Sequence, residues 1–212
     1  MSLPPLLLDL DGTLVDSLAD IAASANHVRA AFDLTPLGHD EIREMVGDGA
    51  AQLLRRALAE LDEPIDVAQA WPIYDAHHRT QCTATVVPYP GVVEHLETWH
   101  ADGRQLAVVT NKPEGFARRI LEHLGIDRYF EAVIGGDTTA SRKPDPAPLH
   151  AALDLLGVEP ADAWMVGDGI QDLRAGRAAG TRTVAALYGF RDAASLRAEG
   201  ADTYWSAFGV EA

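Results

Sequence analysis

The sequence predicts an α/β fold, a parallel sheet with helices on both faces and a helical unit inserted after the first strand. Three observations predict it. Short continuous apolar runs occur at Leu6 to Leu8, Leu106 to Val109, Ala132 to Ile134, Ala163 to Val166 and Thr183 to Ala186, each ending near polar or glycine residues. Runs without alternation suit strands covered on both faces. Helical patterns lie between these runs, so right-handed crossovers joining parallel strands follow. Residues from about Asp16 to Thr85 show helical periodicity and no convincing strand, which makes them an insertion rather than part of the repeat.

Taken in order, Leu6 to Leu8 forms the first strand. In the insertion, Ser17 caps a helix running to Phe32, Asp40 starts one to Val46, Gly49 to Leu61 continues as Ala-Leu-Arg repeats, and Val67 to Thr80 completes the set. The cluster Val87-Pro88-Tyr89-Pro90-Gly91 marks the return to the sheet. Crossover helices are expected at Gly91 to Ala101, Glu114 to Leu124, Pro146 to Leu156 and Ile170 to Ala179. Gly103, Gly125, Gly157 and Gly180 follow them where a left-handed residue closes a helix. Gly135-Gly136-Asp137 lacks the Lys-Ser/Thr ending of a phosphate loop and reads as the turn after the third strand. Residues 187 to 212 are less informative.

The chain has 212 residues, with 17 Lys and Arg against 32 Asp and Glu, a formal charge of −15. Such a surface repels polyanions, so nucleic acid is excluded as a partner. A small anionic ligand is not excluded, because local cations, helix N-termini and metal outweigh a distant field. One cysteine, Cys82, permits no internal disulfide, and no Cys/His spacing suits zinc. The apolar start is short, contains Pro4 and Pro5 and lacks a basic flank, so it does not read as a signal peptide. No stretch suggests a membrane span. A cytoplasmic protein is the expectation, as a monomer or homodimer.

Polar residues cluster at the C-terminal ends of the expected strands, where open α/β sheets bind ligands. The first group is Asp9-Leu10-Asp11-Gly12-Thr13-Leu14-Val15-Asp16. Alternation places Asp9 and Asp11 on one side of the chain, and Gly12 permits a sharp turn. The flanking helices and further spaced oxygens of a calcium-binding EF-hand are absent. The later groups are Val108-Val109-Thr110-Asn111, Ser141-Arg142-Lys143-Pro144-Asp145-Pro146 and Val166-Gly167-Asp168-Gly169-Ile170-Gln171-Asp172. Asp168 and Asp172 lie one helical turn apart and face the same side. Lys112 and Lys143 are the only lysines in the chain. Lys143 sits inside a motif, whereas Lys112 reads as a solvated loop charge.

From about Leu6 to Ala186 these motifs, in this order, resemble the haloacid dehalogenase superfamily, whose phosphatases begin with Asp-x-Asp-Gly-Thr-x-x-Asp. The resemblance implies a Rossmann-like core over residues 1–15 and 86–212 and a small helical cap over 16–85. It implies that Asp9 attacks phosphorus, giving an aspartyl phosphate, and that Asp11 protonates the leaving group and then activates water. Thr110 would hydrogen-bond the phosphoryl group, with Asn111 beside it in the substrate site, and Lys143 would neutralise charge. Mg²⁺ would be held by Asp9, the backbone carbonyl of Asp11 and Asp168, with Asp172 orienting the site behind them. The family's usual Ser or Thr after the first aspartate of the last motif is Gly169 here.

Residues 16 to 86 contain no lysine, against a phosphonatase that uses a cap lysine. Ser17-Leu18-Ala19-Asp20 lacks the cap histidine of the sugar phosphomutases, and Asp11 supplies the aspartate that true dehalogenases lack. The segment Met45 to Leu54 and the run Asp16 to Ile21 resemble bacterial phosphoglycolate phosphatases. There Gly47, Asp48 and Gly49 would approach a small substrate and the next helix N-terminus would receive a carboxylate. Arg55 or Arg56 would offer a bidentate contact, though adjacent helical arginines cannot both face one site. The eight histidines share no motif and read as structural or solvent-facing, and the four tryptophans as core packing. The reading is hydrolysis of a small phosphorylated metabolite, with 2-phosphoglycolate favoured. The alternatives are a broad sugar or metabolite phosphatase, a pyrophosphatase, and a non-catalytic phosphometabolite sensor.

Overall fold

The computed structural model describes residues 3–60 and 66–212. Its first strand, β1 (Leu6–Leu8), is completely buried and lies in the middle of a mostly parallel sheet. Leu6 pairs with Leu106 on one side and Trp164 on the other. Its side chains divide between faces. Leu6 and Leu8 join a core with Leu96, Phe116 and Ile120, whereas Leu7 packs with Leu149, Leu153 and Ala175. Both faces are therefore covered, which is why the run is continuously apolar.

The chain leaves the sheet through β2 (Val15–Asp16) and enters four helices: α1 (Leu18–Ala31), α2 (His39–Met45), α3 (Ala50–Ala57) and α4 (Val67–Gln81). It returns through β3 (Val87–Pro88), which pairs antiparallel with β2, so exit and re-entry form one ribbon. Buried Asp20 secures the same place by accepting bonds from the Thr85 and Val86 amides and the Thr85 hydroxyl. After β3 the chain alternates: α5 (Val92–Ala101), β4 (Leu106–Val109), α6 (Glu114–His123), β5 (Ala132–Ile134), α7 (Ala147–Leu156), β6 (Trp164–Gly167), α8 (Ile170–Ala179) and β7 (Arg182–Ala186). The end, opaque in sequence, adds α9 (Ala193–Glu199), β8 (Thr203–Ala207) and an antiparallel edge strand β9 (Val210–Glu211). The sheet order is β5-β4-β1-β6-β7-β8-β9.

Several local expectations shift. Ser17 occupies the position before α1 but makes no cap, because its hydroxyl is committed to Asp11. Helix α2 begins at His39, where the Glu41 carboxylate accepts the Gly38 amide. Helix α3 ends at Ala57, and Leu61, the expected end, lies outside the described residues. The histidines are structural where buried: His78 is bonded through Nδ1 to Ser24, and its burial, with Lys112 and His77 nearby, lowers it to about 2 and keeps it neutral. His27 stacks on His77. Trp99 and Trp205 pack with Phe208 under the sheet edge, while Trp71 and Trp164 are half-buried.

Candidate active site

The ends of β1, β4 and β6 converge, as their adjacency in the sheet requires. Asp9 follows β1, with its amide bonded to the Val166 carbonyl of β6 and its Oδ1 accepting from the Leu10 amide at 2.7 Å. The turn after it depends on Gly12, whose φ is +83°. A Cβ there would stand 2.2 Å from Asp168 Oδ2, so both backbone conformation and space require glycine. Asp168 follows β6 and accepts from Thr13 Oγ1 at 2.9 Å and from the Phe190 amide at 2.8 Å. Asp172, on the first turn of α8, accepts the Gly169 amide at 2.8 Å. Gly169 thus serves through its backbone, and no hydroxyl is needed for this contact.

Lys143 is fully buried between two carboxylates. Its Nζ lies 2.7 Å from Asp172 Oδ1 and 3.1 Å from Asp9 Oδ1, and donates to the Val109 carbonyl at 2.6 Å. Burial alone would lower this ammonium, but Asp172 and Asp9 outweigh it and hold Lys143 protonated. Asp9, Asp168 and Asp172 each direct an oxygen to within 4.8 Å of the others. Burial first, and Asp172 second, push Asp9 up to about 7 against the pull of Lys143. Burial and then Asp9 push Asp168 up to about 7. Burial also raises Asp172. The donor set is all carboxylate oxygen and short of positive charge, which fits a hard cation.

Asp11 differs. It faces the cavity, where Ser17 Oγ donates to its Oδ1 at 2.5 Å and Lys112 Nζ to its two oxygens at 3.1 and 3.2 Å. The expectation for Lys112 is therefore overturned. It is buried beside Asp11, because the helices of segment 16–85 cover the loop after β4. That loop is fixed elsewhere as well. The Gly136 amide donates to the Lys112 carbonyl at 2.8 Å, and a Cβ on Gly136 would lie 2.3 Å from the Asn111 carbonyl. The glycine pair after β5 is a packing turn.

Thr110 is buried at the end of β4 and lines the cavity with Asp9, Asp11 and Asp168. Asn111 also lines it, but its Nδ2 donates to the carbonyls of Gly47 and Lys143, both at 2.9 Å. Its contact is with the inserted segment as much as with the cavity. Gly47 and Gly49 line the opposite wall at positive φ, and a Cβ on Gly49 would meet Arg142 Nη1 at 2.6 Å. Asp48, expected between them at the site, does not line this wall and pairs with Arg56. Arg56 is used in that pair and on the Met45 carbonyl, while Arg55 is exposed beside Gln52; neither lines the cavity. Ile21, Ala50, Leu53 and Tyr74 add apolar wall, and Arg43 and Arg191 stand at the cavity's edge. The cavity volume is about 60 Å³.

Nothing in the motifs pointed to the loop after β7. There the Phe190 amide holds Asp168, the Tyr188 hydroxyl donates to the Thr13 carbonyl at 3.0 Å, and a Cβ on Gly189 would meet the Gly12 carbonyl at 2.3 Å. The Tyr-Gly-Phe sequence was the available signal.

Residues 6–186 match the family model of haloacid dehalogenase-like hydrolases. The chain belongs to this family. Among curated relatives, it is 44% identical over 191 residues to phosphoglycolate phosphatase of Rhodospirillum rubrum, covering 87% of this chain and 79% of that one. It is 40% identical over 194 residues to phosphoglycolate phosphatase 1 of Pseudomonas aeruginosa, covering 89% and 71%. A crystal structure of a predicted phosphoglycolate phosphatase from Haemophilus somnus superposes with a TM-score of 0.88 at 29% identity, covering 98% and 96%. With relatives of this kind along nearly its whole length, the chain is a phosphatase. Among the described residues no helix is long and apolar enough to cross a membrane.

Proposed function

We propose that this phosphatase hydrolyses 2-phosphoglycolate through an aspartyl-phosphate intermediate with Mg²⁺ bound. The observation that carries the mechanism is the different setting of two neighbouring carboxylates. Asp9 lies among Lys143, Asp168 and Asp172 at the metal-type cluster, whereas Asp11 faces the cavity, bonded to Ser17 and Lys112. Two carboxylates in different surroundings suit two roles, nucleophile and acid/base.

Asp9 Oδ attacks phosphorus as Asp11 gives its proton to the departing oxygen, and the alcohol leaves. Asp11 then takes a proton from water, which attacks the acyl phosphate and frees Asp9 and orthophosphate. Thr110 donates to a phosphoryl oxygen, and Lys143 balances the charge on Asp9. Asp9, Asp168 and the Asp11 main-chain carbonyl would hold Mg²⁺, with Asp172 fixing Lys143 behind them. Bound there, the ion supplies positive charge to the phosphoryl oxygens and suppresses repulsion among the carboxylates. Residues 16–85 act as a cap that excludes water. Asn111 joins it to the core through Gly47.

The names of the curated relatives support the substrate. The test is phosphate release from 2-phosphoglycolate beside sugar phosphates, nucleotides and pyrophosphate, with Mg²⁺ and with chelator. A preference of at least about tenfold for 2-phosphoglycolate, lost on chelation, is expected. A flat profile overturns the substrate, and turnover that survives chelation overturns the metal.

A further inference from the structure

We propose that Lys112 is the residue that recognises the acid group of the substrate, deepening the preceding reading and resting on it. Lys112 is 7% exposed and lines the cavity, and among the described residues Asp11 is its only ion-pair partner. An ammonium has three donors. Two contacts, at 3.1 and 3.2 Å, are made to the Asp11 carboxylate, leaving a donor for a cavity ligand. The two other cavity cations are already paired at its edge, Arg43 with Asp40 and Arg191 with Glu44. Lys143 is sealed by Asp9, Asp172 and the Val109 carbonyl.

Position decides what Lys112 would meet. For Asp11 to pass a proton to the leaving oxygen, that oxygen must come within about 2.6–3.2 Å of the carboxylate. Lys112 Nζ rests against both oxygens of the same carboxylate, so a group bound at Asp11 lies next to the ammonium. In a two-carbon hydroxy acid the carboxyl carbon is two bonds from the leaving oxygen, so its carboxylate falls beside Lys112. An uncharged alcohol offers no counter-ion there, and a longer acid carries its charge past it. The walls nearby are Ile21, Leu53 and Tyr74, so the ion pair would form away from bulk water, where it is strong.

The experiment measures kcat/KM of the wild type, Lys112→Met and Lys112→Arg on 2-phosphoglycolate, on 2-hydroxyethyl phosphate, and on the phosphate ester of 3-hydroxypropionate. The wild type is expected to favour the two-carbon acid over both others by at least about tenfold. Lys112→Met should collapse the acid-over-alcohol ratio to near unity, and Lys112→Arg should keep most of it. A parallel loss on all three substrates with the ratio intact would overturn the proposal and leave Lys112 as a positioning residue for Asp11. The wild-type series stands even where the Met variant does not fold: equal rates on the two acids, both above the alcohol, overturn the role of Lys112 while sparing an acid substrate. A wild type that does not distinguish acid from alcohol removes the phosphoglycolate reading itself.

Discussion

Replacing Lys143 by Met keeps the length of the side chain and removes the ammonium that lies against Asp9 and Asp172. In the native chain the fully buried ammonium touches Asp172 at 2.7 Å and Asp9 at 3.1 Å. Deleting one partner of a buried ion pair costs about 3–5 kcal/mol, because the remaining charge is left without compensation. In a domain of this size each kcal/mol is about 2–4 °C in Tm, so a fall of roughly 6–20 °C is expected for the metal-free protein near pH 8. The pH dependence gives the sharper signature. Asp9 and Asp168 already stand at about 7 when folded, above their ordinary 3.8, so the folded state holds more protons between those values and loses stability as pH rises. Without Lys143 the folded state retains roughly one further proton, which steepens the loss by about 1.4 kcal/mol per pH unit. Thermal unfolding in chelator at pH 5 to 8 reads this directly. Mg²⁺ should restore part of the lost Tm, though not turnover. A destabilisation that is equal at pH 5 and pH 8 and indifferent to Mg²⁺ would refute the electrostatic account of this cluster.

The turn after β1 and the contact between Asn111 and the inserted segment can be probed in the same way. Gly12→Ala forces a Cβ to within 2.2 Å of Asp168 Oδ2 at φ +83°, so calorimetry should show a loss of at least about 1–2 kcal/mol together with a fall in kcat; unchanged Tm and rate would contradict the turn's role. Asn111→Ala removes the bonds to Gly47 and Lys143, both 2.9 Å, and should lower kcat/KM by about tenfold with a smaller effect on Tm. Equal kcat/KM in steady-state assays would show that this bond does not serve cap closure.

Much of the fold is legible because local chemistry and tertiary position agree. Leu6 to Leu8 reads as a buried strand since both faces are covered, and Gly157 and Gly180 close α7 and α8 with left-handed backbones. Asp9, Thr110 and Asp168 directly follow strands and Asp172 opens a helix, while Asp11 and Lys143 lie in loops; all six belong to short motifs that the sequence displays. Lys112 was illegible because its environment is made by Asp11, 101 residues away, and by helices packed over it. Ser17 departs from its pattern because its hydroxyl could accept from a helix amide or donate to a carboxylate, and the bond donated to Asp11 prevailed. Asp48 looked like part of a ligand-facing glycine turn, but only its neighbours' backbone faces the cavity. The contribution of Phe190 is a backbone amide, which no side-chain pattern encodes.

Acid quenching during turnover of phosphate-labelled 2-phosphoglycolate shows whether Asp9 carries the phosphoryl group. The wild type should yield a phosphoenzyme with the label on the peptide containing Asp9, and Asp9→Asn neither label nor turnover. Rapid turnover without any trapped phosphoenzyme, or substantial activity in Asp9→Asn, would contradict that role of Asp9.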